Sequence, residues 1–109
     1  MFIAKEVSFE VIASLRTLVP QIERNDRDLA DQIKRAASSV ALNLAEGQRS
    51  LKGNKAKHYA IAHGSANEVL AALRTAEAWG WLEEGAAREA LGKLDRLLAL
   101  LWRLTNPRT

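Results

Sequence analysis

Apolar residues recur every three or four positions in four separate stretches of this chain, and only a few residues separate one stretch from the next. A strand facing a core alternates with a period of two, whereas a period near 3.6 lines up apolar side chains on one face of a helix. The first stretch, about residues 4–22, carries Val11, Leu15, Leu18 and Ile22, with Phe9, Ile12 and Val19 beside them. Pro20 should end or kink it near Val19, because proline lacks an N–H and its ring crowds the preceding turn. The second, 28–50, carries Leu29, Ile33, Ala36, Val40 and Leu44, with Asp26 or Asp28 as its cap. Gly53 and Asn54 break the pattern, and Asn54 can cap a third helix over 55–79. Tyr59, Ala62, Ala66, Val69, Leu73 and Ala76 form its seam. Gly80 suits a left-handed C-terminal cap, with Trp81 as the apolar partner that follows it. The fourth helix, 84–104, has Ala87, Leu91, Leu94, Leu98 and Leu101 as its stripe, and Asn106–Pro107 ends it. Asp31–Arg35, Glu84–Arg88 and Glu89–Lys93 have the spacing of ion pairs on outer faces. Short connections make consecutive helices antiparallel neighbours, so the expected fold is all-α: an up-down-up-down antiparallel four-helix bundle. At 109 residues, 48% of them apolar, the chain has material for one such domain spanning 1–109.

The formal net charge of +3 is unevenly placed. Basic and acidic residues balance from Met1 to Ser50 and again from Ala76 to Thr109, so the excess lies between Leu51 and Thr75. Arg49, Lys52, Lys55 and Lys57 form a run without an acid, a candidate phosphate-binding cluster for RNA or DNA. The same run can also be read as a solvated loop and helix start. There is no cysteine, hence no disulfide framework and no thiolate metal site, which fits the cytoplasm. The first ten residues do not read as a signal peptide, and no apolar run has the length of a membrane span.

Catalytic chemistry is not evident. His58 and His63, the two histidines, lie five residues apart on a helix and point about 140° away from each other. They cannot grip one metal together, and His63-Gly64-Ser65 lacks the strand that a nucleophile elbow needs. No cofactor, metal or catalytic residue is expected, and the chain is read as a non-enzyme. Gly64 sits mid-helix, where close approach of a neighbouring helix would explain it. Arg35, Ser39, Asn43, Glu46, Ser65 and Glu68 place polar groups on or near the seam of the second and third helices. If those helices form a hairpin, Ser39 faces Ser65 and an Arg35–Glu68 ion pair follows, which would fix the register. Phe9, Ile12, Leu97, Leu100 and Trp102 exceed the apolar width that a lone bundle needs and are candidates for an oligomer interface. Small bundles also tolerate some exposed leucines.

Three stretches then carry a resemblance. Gln32, Ile33, Lys34, Arg35, Ala36 and Ala37 are followed by Ser39, then by Asn43, Leu44, Ala45, Glu46 and Gly47, and later by Gly64, Ser65, Ala66, Asn67 and Glu68. Taken together these resemble the four helix bundle protein family, also called the 23S ribosomal RNA intervening-sequence proteins, over nearly the whole chain. Ala41 stands where many members carry proline, which makes the second helix more regular here. The resemblance implies an up-down bundle, and it extends to the accessory protein of diversity-generating retroelements. It implies a homopentamer with a basic surface, and no enzymatic activity. The expected function is therefore a non-enzymatic, oligomeric nucleic-acid-binding or accessory protein, acting on ribosomal RNA or a retroelement-like RNA. The alternative is a scaffold that binds a partner protein and has no nucleic-acid role.

Overall fold

The computed structural model describes residues 1–107, and five helices account for most of them. Helix α1 spans Ile3–Leu15, α2 Leu18–Glu23, α3 Arg27–Arg49, α4 Lys52–Trp79 and α5 Arg88–Thr105. Helices α1, α3, α4 and α5 are the four long elements of an antiparallel all-α bundle; α3 packs on α4, α4 on α5, and α5 back on α1. Among the described residues there are no strands. The longest helix sets the size of the molecule: at about 1.5 Å per residue α4 is roughly 42 Å long. The principal extents are 43 × 22 × 21 Å.

The first predicted helix is divided in two. The break falls at Arg16 and Thr17, not near Val19. Proline excludes the carbonyl four residues before it, which is that of Arg16, while it fits the first turn of a helix, where the N–H groups have no partner in any case. Pro20 therefore sits in the first turn of α2 and the interruption lies ahead of it. Leu15, Leu18 and Ile22 stay buried across the break. Asp26 caps α3 as expected, its carboxylate accepting from the Leu29 N–H at 2.9 Å. Asn54 does not cap α4, because the chain turns earlier, at Ser50 and Leu51. The Lys55 N–H donates to the Leu51 carbonyl at 2.8 Å and closes the first turn there. At the far end Gly80 adopts φ 79°, ψ 22°, and the Trp81 N–H reaches back to the Ala76 carbonyl at 3.0 Å. This is the glycine-terminated cap expected from the sequence.

The fourth helix begins at Arg88 and not at residue 84, because Gly85 takes φ 78° and interrupts the run. Glu84 thus lies outside the helix and makes no pair with Arg88. Lys93 reaches across to Glu10 on α1 at 2.9 Å instead of along its own helix to Glu89, and Asp31 pairs with Lys34 at 3.5 Å instead of Arg35. The core stripe of α5 is Ala90, Leu94, Leu97 and Leu101; Leu91 and Leu98 flank it, half-buried. Leu97 is only 1% exposed, so it belongs to the chain's own core and is not an interface residue. The seam predicted for the third helix, Tyr59 to Ala76, is buried throughout.

Candidate nucleic-acid interface

Antiparallel topology brings four chain segments to one end of the bundle: the start of α1, the end of α3, the start of α4 and the end of α5. Phe2 packs on Tyr59 with ring centroids 5.9 Å apart, which joins the first of these to the third. A shallow groove lined by Met1, Phe2, Leu100, Arg103 and Leu104 joins the first to the fourth. Arg49 closes α3, and Lys52, Lys55 and Lys57 open α4. Arg49, Lys52 and Lys57 are exposed and Lys55 is half-buried. The fold adds two cations that sequence proximity could not reveal. Lys5 donates to the Gln48 side chain at 3.0 Å, which sets it beside the end of α3, and Arg103 lies in the last turn of α5. Among the described residues six cationic side chains thus share an end with two carboxylates, Glu6 and Glu46.

The start of α4 is unfavourable for its own lysines, whereas Arg49 and Arg103 close α3 and α5, where positive charge is favoured. The exposed N–H groups of a helix start carry partial positive charge, and each cation near them is unfavourable by about 0.3–1 kcal/mol. The first turn of α4 holds no acidic residue to offset this. An anion placed there would satisfy both the free N–H groups and the lysines. The lysines surround the helix end and do not form a single row, since Lys52 and Lys57 point about 140° apart.

Further along the hairpin the predicted polar seam is present in part. Ser65 Oγ donates to Ser39 Oγ at 2.9 Å, the serine contact expected from the sequence. Asn43 Nδ2 donates to the Ser39 carbonyl at 2.9 Å and to its hydroxyl at 3.1 Å. This leaves the amide oxygen of Asn43 as acceptor for His58 Nδ1, 2.9 Å away, so that nitrogen carries the proton. His58 is the network member that sequence reasoning missed. Its signal was present, since antiparallel helices bring it to the level of Asn43. Glu46 points to solvent and contributes only its carbonyl, which accepts from Ser50 Oγ at 2.7 Å. Arg35 and Glu68 are both exposed and form no ion pair within the chain, because Ala36 holds the buried seam position beside Arg35. The network fastens two helices together, and no buried side-chain nitrogen or oxygen among the described residues lacks a partner.

The glycines exchange roles relative to expectation. A Cβ on Gly64 would meet nothing within 4 Å, so no helix of this chain approaches it closely. Gly47 makes the close approach, because a Cβ there would lie 2.5 Å from the Tyr59 ring. Of the remaining interface candidates, Phe9 is 48% and Trp102 57% exposed, while Ile12 and Leu100 are half-buried against the core. Trp79, 68% exposed, stacks on Trp81 with centroids 5.7 Å apart. Among the described residues no three His, Asp or Glu side chains gather as metal ligands, and no helix is long and apolar enough to cross a membrane.

No curated protein and no solved structure matches the chain. A family model does match, that of the 23S rRNA-intervening sequence protein, over residues 3–103. The match runs from the first residue of α1 to the last turn of α5, and with it the chain belongs to the 23S rRNA-intervening sequence protein family.

Proposed function

We propose that this protein is a non-enzymatic, self-associating accessory protein of the cytoplasm that binds RNA through the cationic end of its bundle. The observation that carries this reading is the gathering of six cations from four helices beside an uncapped helix start. Arg49, Lys52, Lys55 and Lys57 contact phosphates, and Lys5 and Arg103 extend the surface. Such contacts are largely blind to sequence, because phosphates carry no base code. The family's association with ribosomal RNA insertions supports RNA as the first ligand to try.

Fluorescence anisotropy with a labelled single-stranded RNA and an RNA duplex tests the reading. Affinity should fall with salt, with a logarithmic slope of about −0.7 to −0.9 for each phosphate neutralised. Lys52→Glu with Lys55→Glu should weaken binding at least tenfold without loss of helix content. Failure to bind either RNA or DNA at low salt would refute the proposal. The second reading, a scaffold for a partner protein, is favoured by Trp79, Trp102 and Phe9, large apolar side chains that the bundle leaves exposed. A stoichiometric protein recovered from nuclease-treated lysate, with no RNA affinity in the purified chain, would favour it.

A further inference from the structure

We infer that the outer edges of α3 and α4 pack against each other between copies of this chain, with Arg35 of one copy opposite Glu68 of the next. On α3, Arg35, Ser39, Leu42 and Glu46 follow at steps of four, three and four. On α4, Lys57, Ile61, Gly64 and Glu68 repeat the same steps. Steps of three and four keep each row on one side of its helix. The four charged residues are exposed, and among the described residues none takes part in an ion pair. Between them Leu42 is 65% and Ile61 41% exposed.

The two rows are complementary level by level. Ser39 bonds to Ser65, so in the antiparallel hairpin Arg35 stands level with Glu68, Leu42 with Ile61, and Glu46 with Lys57. Within one chain these side chains do not meet, because Ser39, Asn43, His58 and Ser65 occupy the space between the helices. Rotation about an axis parallel to the helices preserves height. It brings the α3 row of one copy against the α4 row of another, with both charges at each level matched and the two exposed aliphatic side chains together. Gly64 then has a use. A glycine inside a helix is destabilising relative to alanine, and among the described residues nothing approaches it. Next to Ser39 of another copy it allows two backbones to come close. The same rotation points every cationic end in one direction, so assembly multiplies the basic surface on a single face.

This inference rests on the self-association in the function proposed above, and it takes Lys57 for the contact between copies, leaving Arg49, Lys52 and Lys55 for phosphate. Light scattering at micromolar concentration should give a multiple of the 12.0 kDa chain. Arg35→Glu alone and Glu68→Arg alone should each dissociate the assembly with helical circular dichroism retained, and the double variant should restore the original mass. Gly64→Leu has better helix propensity and meets nothing among the described residues, so it should abolish assembly with helical circular dichroism retained. A wild-type mass of 12.0 kDa would overturn both this interface and self-association. An assembly left intact by Arg35→Glu and Gly64→Leu would overturn this interface alone. So would rescue of Arg35→Glu by Glu46→Arg in place of Glu68→Arg. Anisotropy of RNA on the dissociated variants separates these outcomes from loss of phosphate binding.

Discussion

Gly47 is the residue whose identity the packing most plainly demands. It lies in the last turns of α3 with the Tyr59 ring against it, and a methyl group there would come within 2.5 Å of Tyr59 Cε1 and 2.8 Å of Cδ1. Alanine would gain about 1 kcal/mol of helix propensity. Overpacking a buried site costs about 1–3 kcal/mol, and here the ring has little room to retreat because Phe2 lies on it. Gly47→Ala should therefore lower the unfolding free energy by up to about 2 kcal/mol in urea titration, and Tyr59→Leu in that background should recover part of it. Wild-type stability in Gly47→Ala would show that the ring moves freely. Tyr59 is also a probe in its own right, being the only tyrosine. Burial pushes its phenol above the ordinary value of 10.0. The folded state thus holds the proton more tightly, and this contribution to stability is complete below pH 10.0 and lost as pH rises through the raised value. Phenolate absorbance should titrate above 10.0 in the folded protein and return to the ordinary value in urea. A folded midpoint at or below it would contradict the burial.

At the scale of the helices, periodicity was a good guide to which segments are helical and a weaker guide to their limits and orientation. The α4 seam from Tyr59 to Ala76 is buried as its spacing predicts, although Ile61 and Trp79 are also apolar and stay exposed on the same helix. Helix α5 has leucine at 91, 94, 97, 98, 100, 101 and 104, so several rotations would each bury an adequate face. Contact with α1 and α4 selects the one that buries Leu97. Leu97→Ala should accordingly cost about 2–5 kcal/mol in thermal or urea unfolding, and Leu98→Ala distinctly less. Equal costs would mean that α5 is rotated from the position described. The division of α1 from α2 has a related cause. Proline marks where a break is needed, but its clash is with a carbonyl four residues earlier, so the break precedes the residue that causes it.

Over the whole molecule, topology converts a short basic run into an asymmetric surface. Lys5 and Arg103 are distant in sequence from Lys52, and the bundle brings all three to one end. At the opposite end the α4–α5 connection carries Glu83 and Glu84 and is tied down by Gln21, whose side-chain oxygen accepts from the Glu83 N–H at 3.2 Å. A polyanion approaching such a molecule is steered to one end. If that end is the binding surface, Arg103→Glu should weaken RNA binding as much as Lys52→Glu does. It should also reduce the salt slope by about one phosphate's worth, read by anisotropy at several salt concentrations. An effect of Lys52→Glu alone would confine the site to the α3–α4 turn.

The amino-acid sequence by itself determined the all-α class, the four long helical stretches, the Asp26 and Gly80 caps and the Ser39–Ser65 contact. Each of these depends on helical period, on the chemistry of a few residues at a helix end, or on two helices running antiparallel through a short turn. Tertiary structure decided which face of α5 is buried, which glycine lies under an aromatic ring, and that Arg35 and Glu68 stay apart within one chain. It also decided that His58 joins the seam and that Lys5 and Arg103 complete the cationic end. The physical reason is the range of the forces concerned. Propensity and capping act within a turn or two, whereas the rotation of one helix against another follows from packing summed over every neighbour, and charge accumulates wherever the topology brings chain ends together.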